Sequence, residues 1–368
     1  MKYLSRTSPS KLRGTVLVRL DFNTVDEWRM RAALPTLNLL LRRAARIVIL
    51  SHRGRPRKNE PRLSLRKDGV ALSRMLRQKV NFIPHFRFEE IKRTLAVAPA
   101  SSIFLLENLR FQKGERANSA RFARKLAGLA DYYVNDSFAV DHRADASLVA
   151  ITRFLPAYVG LGLEQELNIL SKVLRRPDKP LVLVIGGGKA EDKLGVVEYF
   201  RRRADAILIG GAAANTLLYI RGVNVGESLM DETTEDYGRY RRILKYPNLF
   251  LPLDWEEKKG RILDIGPRTR SIFSQKIKAA RMIIWAGPMG YIENPRFAQG
   301  NLAIARAIIA NQRAFSVTGG GETVMFLKKH GLDKKFSFIS TGGGAMIDFL
   351  AGKKLPGIEA LKRRRNNE

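Results

Sequence analysis

The 368-residue sequence contains no cysteine, which excludes disulfide bonds and thiolate metal sites. Acidic residues are scarce, with 35 Asp and Glu against 66 Lys and Arg, a formal net charge of +31. Uninterrupted apolar runs are all far shorter than the roughly 20 residues that span a bilayer. No apolar segment follows the basic start of the chain, so we expect no secretory signal. These absences together predict a cytoplasmic protein without a membrane span.

The excess of positive charge favours anionic partners, either anionic substrates of an enzyme or nucleic acid. Basic runs occur at residues 42–43, 201–203 and 363–365, and other basic residues lie between them along the whole chain. A dedicated nucleic-acid reader concentrates such residues in one element with interleaved aromatics. We therefore expect no specific nucleic-acid partner, although nonspecific contact with polyanions at low salt is compatible with this charge.

Short β-branched runs alternate with longer amphipathic stretches, a pattern typical of βαβ units and parallel sheets. The chain length favours two domains. Strands are predicted at residues 15–20, 46–50, 103–106 and 132–134 in the first half, and at 181–185, 206–209, 249–252, 282–285, 315–318 and 336–340 in the second. Helices are predicted at residues 32–45, 64–76, 120–129 and 160–174, the last of them between the two sets of strands.

Five predicted strands of the second half run into glycine-rich turns. Because carboxyl ends of parallel strands share one edge, and ligands of open α/β sheets bind there, these turns should form one site. Glycines let the backbone approach a ligand, and the helix N-termini that follow offer unpaired N–H groups to phosphates. The residues concerned are Gly186, Gly187, Gly188 and Lys189, then Gly210 and Gly211, then Gly287, Pro288 and Gly290, then Gly319, Gly320, Gly321, Glu322 and Thr323, and finally Gly342, Gly343 and Gly344.

The strand ends of the first half carry polar and basic side chains instead. Convergent arginines are suited to a small phosphorylated carboxylate, because their guanidinium groups bind such anions in a bidentate manner. The candidates are Asp21 and Asn23, His52, Arg53 and Arg55, Arg110, and His142 and Arg143. One half thus suits a nucleotide and the other a small anion, which suggests phosphoryl transfer between them.

Two common nucleotide motifs are missing. The first predicted strand is followed by Asp21-Phe22-Asn23, where an NAD-binding unit would have Gly-x-Gly-x-x-Gly. The loop at residues 186–193 also lacks the spacing of a Walker A motif. An NAD-dependent enzyme is therefore disfavoured, and a nucleic-acid-binding protein on a kinase-derived fold stays open as the alternative.

Nine motifs follow one another along the chain, at residues 18–23, 29–36, 51–56, 106–111, 141–144, 187–193, 285–293, 319–323 and 340–345. In the sequence and order of these motifs the chain resembles phosphoglycerate kinase. The resemblance implies an α/β protein with two Rossmann-like domains, each a parallel sheet flanked by helices, with an interdomain cleft. It implies a phosphoglycerate-binding domain at residues 1–159, an interdomain helix at 160–176 and a nucleotide-binding domain at 177–356. Residues 357–368 are expected to pack back onto the first domain.

The resemblance also assigns roles. Phosphoglycerate would be held by Asp21, Asn23, Arg29, His52, Arg55, Arg110, His142 and Arg143. Arg29, Lys189, Gly342, Gly343 and Gly344 would act on the transferring phosphoryl group. The nucleotide would contact Gly187, Gly188, Lys189, Lys193, Gly210, Gly211, Gly287, Pro288, Glu293, Gly319, Gly320, Gly321, Glu322 and Thr323. Mg²⁺ would arrive with ATP or ADP, near Glu322, and the enzyme would be a monomer that closes its domains during the reaction.

Four positions depart from the family pattern. Glu322 stands where an aspartate near the magnesium is usual, Ala286 replaces an asparagine, and Asp145 replaces a histidine. Arg53 places an additional positive charge in a substrate loop, at a position that is usually apolar. None of these changes removes one of the expected substrate-binding cations.

Overall fold

The structure is a computed structural model that describes residues 1–24, 26–57, 60–188, 191–231 and 237–362. The chain forms two compact units, one made of Met1–Ile169 with Lys354–Glu368 and the other of Leu170–Lys353. Each unit has its own parallel sheet flanked by helices, so the predicted fold class is confirmed. Among the described residues, no helix combines the length and the hydropathy needed to cross a membrane.

The first unit is built on a seven-stranded sheet with the order β1-β7-β6-β2-β3-β5-β4, in which every pair is parallel. The strands are β1 (Lys2–Tyr3), β2 (Thr15–Arg19), β3 (Arg46–Leu50), β4 (Val80–Ile83), β5 (Ile103–Leu106), β6 (Tyr132–Asn135) and β7 (Ala157–Val159). The helices are α1 (Trp28–Arg42), α2 (Arg66–Leu76), α3 (Phe88–Val97), α4 (Lys113–Arg116), α5 (Ala120–Ala127) and α6 (Leu161–Arg175), which continues into the second unit.

The second unit has a six-stranded parallel sheet with the order β10-β9-β8-β13-β14-β15 and a separate antiparallel hairpin, β11-β12. Its strands are β8 (Leu181–Ile185), β9 (Ala206–Ile209), β10 (Leu249–Phe250), β11 (Trp255–Lys258), β12 (Arg261–Ile265), β13 (Met282–Ala286), β14 (Phe315–Gly319) and β15 (Phe338–Ser340). Its helices are α7 (Glu191–Phe200), α8 (Gly211–Ile220), α9 (Tyr237–Ile243), α10 (Pro267–Ala279), α11 (Gln299–Ala310), α12 (Gly321–Lys329) and α13 (Gly344–Leu350). The last helix, α14 (Pro356–Lys362), belongs to the first unit.

Central strands form where the sequence is apolar without interruption, because both faces of a parallel sheet are covered by helices. All five residues of β8 are buried, as are all five of β2. Arg19, the last residue of β2, is the exception to this rule: its side chain is charged yet fully buried. Such a residue requires polar partners inside the fold, and those partners lie at the site described below.

The strands that the sequence patterns did not predict are short or half-buried. They include β1, β4 and β7 of the first sheet and the β11-β12 hairpin, whose residues are mostly partly exposed. Helix α1 also begins at Trp28, four residues before the predicted start, and ends at Arg42. The predicted strand at residues 249–252 is reduced to two residues, and that at 336–340 begins at Phe338 because a short 3-10 helix ends just before Phe336.

Candidate functional site

The carboxyl edge of the first sheet begins with a tightly bonded turn after β2. Asp21 is buried, and its Oδ2 accepts a hydrogen bond of 2.5 Å from Arg29, the second residue of α1. Oδ1 of Asp21 accepts from the backbone N–H of Asn23 at 3.0 Å. Asn23 in turn accepts from the N–H of Gly54 at 2.8 Å, so the loops that follow β2 and β3 are fixed to each other.

His52 follows β3, and its imidazole is almost completely buried. Nδ1 lies 3.1 Å from an Arg19 nitrogen, and because arginine only donates, Nδ1 must accept. Burial, and then the positive charges of Arg19, Arg143, Arg29 and Arg53, hold the pKa of His52 well below its usual range. The ring is therefore neutral and carries its proton on Nε2, which is buried and meets no hydrogen-bond partner in the described part of the chain.

Arg19 connects His52 to a carboxylate deeper in the unit. Its Nε donates to Ser147 Oγ at 2.9 Å, and the Ser147 hydroxyl donates to Glu115 at 2.5 Å. The backbone N–H of Ser147 also donates to Glu115, at 3.0 Å. Glu115 is fully buried, and this burial raises its pKa to about 7. A continuous polar chain thus runs from Glu115 through Ser147 and Arg19 to His52.

Arg110 lies next to the same edge, after β5. Its guanidinium donates to the carbonyl of Gly54 at 2.5 Å and lies 4.0 Å from the buried carboxylate of Asp145. The aspartate that replaces a histidine of the family pattern therefore faces a substrate-site candidate directly. Arg110 Nε is buried and unpaired within the described residues, like His52 Nε2.

Arg143 and His142 complete the group on the loop after β6. Arg143 Nε lies 3.3 Å from His142 Nε2. Burial lowers the pKa of Arg143, an effect that Asp145 and Asp21 oppose and the charge of Arg55 reinforces. Arg55 itself is exposed. The candidate residues from four separate strand ends of the first unit are thus close enough to influence one another electrostatically.

Arg53 does not extend a free positive charge into this loop, contrary to what its position suggested. Its guanidinium donates to Asp68 at 2.5 Å, to the carbonyl of Phe22 at 2.9 Å and to that of Thr24 at 3.1 Å. Burial raises the pKa of Asp68 even with this cation beside it. Arg53 therefore links the turn after β2 to helix α2 through hydrogen bonds to both.

We expect Arg53→Leu to lower the free energy of unfolding by about 2–3 kcal/mol, because it leaves the buried Asp68 carboxylate without its cation. Urea unfolding measures this change. The double variant Arg53→Leu/Asp68→Leu should recover most of the loss. Arg62→Leu is the matched control, since Arg62 pairs with Glu60 at the surface, where solvent screens the charges, and its loss should change the free energy of unfolding far less. Equal losses for Arg53→Leu and Arg62→Leu would contradict this interpretation.

In the second unit the glycine turns pack backbone against backbone. The N–H of Gly187 donates to the carbonyl of Pro288 at 2.6 Å, and that of Gly211 donates to Met289 at 2.9 Å. Gly187 and Gly287 have φ values of +93° and +88°, a region that favours glycine. A Cβ on Gly287 would lie 2.1 Å from the carbonyl oxygen of Gly186. Glycine is thus required by close approach at this position.

The turns before α12 and α13 are packed differently. Gly320 has a φ of +99°, and a Cβ on Gly320 or Gly321 would meet nothing within 4 Å. A Cβ on Gly343 would lie 3.5 Å from the Cα of Gly320, so the two turns adjoin. The residue preceding each helix is a glycine without a capping side chain. First-turn N–H groups and the positive end of a helix dipole favour an anion at such a place.

A cavity of about 1140 Å³ lies in the second unit, beside the carboxyl edge of its sheet. Seven candidate residues line it: Gly187, Gly188, Gly211, Pro288, Gly290, Glu293 and Glu322. Lys193, Gly210, Gly287 and Thr323 are not among the lining residues, but each contacts a neighbouring turn. Nζ of Lys193 would lie 2.9 Å from a Cβ on Gly187, Gly210 packs against Met289, and the Thr323 hydroxyl accepts from the N–H of Gly287 at 3.2 Å. Gly319, Gly320, Gly321, Gly342, Gly343 and Gly344 are not among the lining residues, and Lys189 lies outside the described residues.

Sequence reasoning missed the apolar wall of this cavity, which includes Ala212, Leu229, Pro252, Trp255 and Met289. These side chains come from separate elements and have no common motif. It also assigned no role to Arg19, Ser147 and Glu115. A signal for Arg19 was present, because an arginine ends an otherwise apolar strand.

The described residues contain no group of three His, Asp or Glu side chains arranged to hold a metal ion.

Comparison with known proteins identifies the family of the chain. Residues 11–353 match the family model described as phosphoglycerate kinase. The phosphoglycerate kinase of Rubrobacter xylanophilus is 42% identical over 386 residues, covering 96% of this chain and 97% of that protein. The phosphoglycerate kinase of Dictyoglomus turgidum is 37% identical over 376 residues, covering 94% of this chain and 95% of the relative.

Solved structures give the same result. The phosphoglycerate kinase of Coxiella burnetii superposes with a TM-score of 0.84 at 33% identity, covering 99% of both chains. That of Pyrococcus horikoshii superposes with a TM-score of 0.87 at 31% identity, covering 98% of both. Sequence and structure agree over nearly the full length of these proteins, and the chain therefore belongs to the phosphoglycerate kinase family.

Proposed function

We propose that the polar edge of the first unit binds the phosphoglycerate and that the cavity of the second binds the nucleotide. The family reaction is reversible phosphoryl transfer from 1,3-bisphosphoglycerate to ADP, giving 3-phosphoglycerate and ATP, with a carboxyl group as the phosphoryl acceptor in the reverse direction. The comparisons do not support a nucleic-acid-binding protein in place of an enzyme.

One observation carries the assignment of the first unit. Three buried donor atoms, Arg29 Nε, His52 Nε2 and Arg110 Nε, meet no hydrogen-bond partner among the described residues. Buried polar atoms are nearly always bonded in folded proteins, so each exception needs an explanation. Carboxylate and phosphate oxygens supply several acceptors and negative charge at once. A phosphorylated carboxylate therefore satisfies donors that the protein leaves unpaired.

Asp21 and Asn23 contribute to this site in a different way from the cations. Asp21 anchors Arg29 through its 2.5 Å bond, and Asn23 fixes the loop of Gly54. Since the neutral His52 donates from Nε2, it binds an oxygen without adding a full charge. We infer that Arg55, Arg110 and Arg143 supply most of the attraction for the phosphoglycerate, with His142 beside Arg143.

The nucleotide assignment depends on the cavity and the glycine turns. The apolar wall formed by Leu229, Pro252 and Met289 suits a purine base, and Glu293 on the lining suits ribose hydroxyls. Phosphates would extend towards Lys193, whose ammonium lies over Gly187. The turns before α12 and α13 then offer backbone N–H groups to the terminal phosphates.

The chemistry requires little of the protein beyond placement and charge. The bond between the acyl oxygen and phosphorus breaks, and a bond forms between that phosphorus and an oxygen of the ADP β-phosphate. Charge spread over the three equatorial oxygens is stabilised by fixed cations and N–H groups. We assign Arg29, Lys189 and the amides of Gly342, Gly343 and Gly344 to this task. Domain closure would bring the substrates together and exclude water that hydrolyses the acyl phosphate.

Mg²⁺ fits this arrangement as part of the nucleotide. Magnesium keeps several water ligands and is commonly held by one or two carboxylates together with substrate phosphates. Glu322 lies in the first turn of α12 and lines the cavity, and we assign the contact with such an ion to its carboxylate. The ion would neutralise charge on the β- and γ-phosphates.

Cytoplasmic location and a monomeric state stay predictions.

We expect Arg55→Ala to raise the KM for 3-phosphoglycerate at least about tenfold, the scale of one charge-assisted contact, with the KM for ATP changed less than twofold. Steady-state kinetics with each substrate varied separately measure both constants. Arg57→Ala is the control, because Arg57 is exposed on the same loop two residues further on. A larger effect on the ATP constant than on the phosphoglycerate constant would show that the roles of the two units are misassigned.

A further inference from the structure

The second unit carries a positively charged edge that the proposed reaction does not use. Every turn leading into a strand of the six-stranded sheet holds at least one exposed Lys or Arg. We call this set the basic edge and represent it by one residue from each turn: Lys179, Arg202, Lys245, Arg281, Arg313 and Lys335. They stand before β8, β9, β10, β13, β14 and β15, at the amino ends of the strands.

Backbone hydrogen bonds join these turns into one row. The N–H of Asp205 donates to the carbonyl of Leu181, and that of Arg281 donates to Pro180, both at 2.8 Å. Phe315 donates to the carbonyl of Arg281 at 2.8 Å on the next strand. Adjacent strands lie about 4.8 Å apart, so six strands spread the row over about 24 Å. Residues that are dispersed over some 160 positions of the chain, from 179 to 335, thereby become neighbours.

Acidic side chains do not neutralise this edge. The turns contain three of them, Asp178, Asp205 and Asp333. Asp205 pairs with Lys179 at 3.0 Å, and Asp178 pairs with Lys172 at 2.9 Å. Within the part of the chain that the structure describes, no carboxylate oxygen lies within 4 Å of the charged nitrogens of Arg202, Lys245, Arg281, Arg313 or Lys335. Their charges are therefore available to an external anion.

Fold stability and substrate binding do not account for the edge. Basic residues in the last turn of a helix stabilise it through the helix dipole, but Arg281 and Arg313 lie beyond the ends of α10 at Ala279 and α11 at Ala310. The nucleotide cavity lies at the carboxyl edge of the same sheet, as expected for open α/β folds. The basic edge is at the other ends of these strands, away from that substrate.

We propose that the basic edge binds the phosphate backbone of double-helical nucleic acid without reading its sequence. About 24 Å of duplex presents roughly 14 phosphates, so the strand that faces the edge offers acceptors along the whole length of the row. Single-stranded binders add exposed aromatic side chains for base stacking, and the described turns of this edge expose none. The arginines add bidentate contacts to phosphate oxygens.

The test uses the full-length enzyme and two labelled 24-base-pair duplexes, one DNA and one RNA, of the same sequence. Fluorescence anisotropy gives the binding constant between 50 and 300 mM KCl. We expect the variant Arg202→Gln/Arg281→Gln/Arg313→Gln/Lys335→Gln to reduce the slope of log K against log salt by about 3–4, since each phosphate contact contributes about 0.9. Affinity at 50 mM KCl should fall at least about 30-fold, while phosphoryl-transfer turnover stays within twofold.

A variant with the same loss of charge in the first unit separates a local site from the overall charge. Lys67, Lys79, Arg93 and Arg121 are exposed, and their replacement by Gln should change the slope by less than about 1. Equal losses in both variants would overturn the proposal, as would no binding by the wild type at 50 mM KCl. A tenfold preference between DNA and RNA would contradict recognition of phosphates alone. Equally tight binding of polyglutamate would favour an acidic protein partner instead and overturn it too.

Discussion

Replacing Arg29 with alanine should lower kcat by roughly 1,000-fold, the upper range for loss of one preorganised electrostatic group. Arg29 is held by a 2.5 Å bond to the buried Asp21, and its Nε is one of the three unpaired donors of the site. Because the charge of the transferring group develops during the reaction, the loss should fall on kcat more than on either KM. Steady-state kinetics with both substrates saturating measures it.

Arg31→Ala is the matched control for this experiment. Arg31 lies two residues along the same helix, but it is exposed and pairs with Glu27 at the surface. Its loss should leave kcat within twofold. Arg29→Lys should recover only part of the activity, because lysine keeps the charge without the planar fork. A kcat for Arg29→Ala within tenfold of the wild type would refute its assignment to the transferring group.

Replacing Arg19 with methionine should lower kcat/KM for 3-phosphoglycerate about 100-fold at pH 8, although Arg19 itself is a positioning residue. Arg19 makes Nδ1 of His52 an acceptor and thereby leaves the proton on Nε2. Without it, Nδ1 can carry the proton and turn towards Asp21, whose Oδ1 lies 3.7 Å away. Nε2 would then present a lone pair to an anionic substrate.

The pH dependence distinguishes this role from simple loss of stability. Removing the nearest cation raises the pKa of His52, and a protonated imidazole carries hydrogen on both nitrogens. The activity of Arg19→Met relative to wild type should therefore rise as pH falls from 8 to 6. The double variant Arg19→Met/Glu115→Gln also removes the buried carboxylate that Arg19 reaches through Ser147. Its activity relative to wild type should rise in the same way as pH falls. A ratio that is independent of pH in both variants would contradict the proposed role.

The central strands and the polar edge of the first unit were predictable because both follow from local sequence. Buried parallel strands such as β3 and β8 are continuous apolar runs, and the side chains after them necessarily share an edge. Asp21 and His52 were candidates because they follow predicted strands, whereas the role of Arg29 came from the family resemblance alone. The structure adds that Asp21 positions Arg29 and that the imidazole of His52 is buried and held by Arg19.

Other features depend on residues that only the fold brings together. The apolar wall of the cavity combines Leu229, Pro252 and Met289, which have no common spacing. Arg53 looked like an added substrate-site charge, and its pairing with Asp68 on α2 could not be read from either segment alone. The basic residues seemed dispersed because sequence distance hides the alignment of turns along one sheet edge. In each case the missing information was the topology of the sheet.

The most direct test of the central claim is a coupled assay with the purified protein, 3-phosphoglycerate and MgATP. Glyceraldehyde-3-phosphate dehydrogenase consumes the 1,3-bisphosphoglycerate formed, and NADH oxidation is followed by its absorbance. The proposed function predicts NADH oxidation that requires both substrates and falls about 1,000-fold in the Arg29→Ala variant. Oxidation no faster than without the protein, from a folded preparation, would contradict the account.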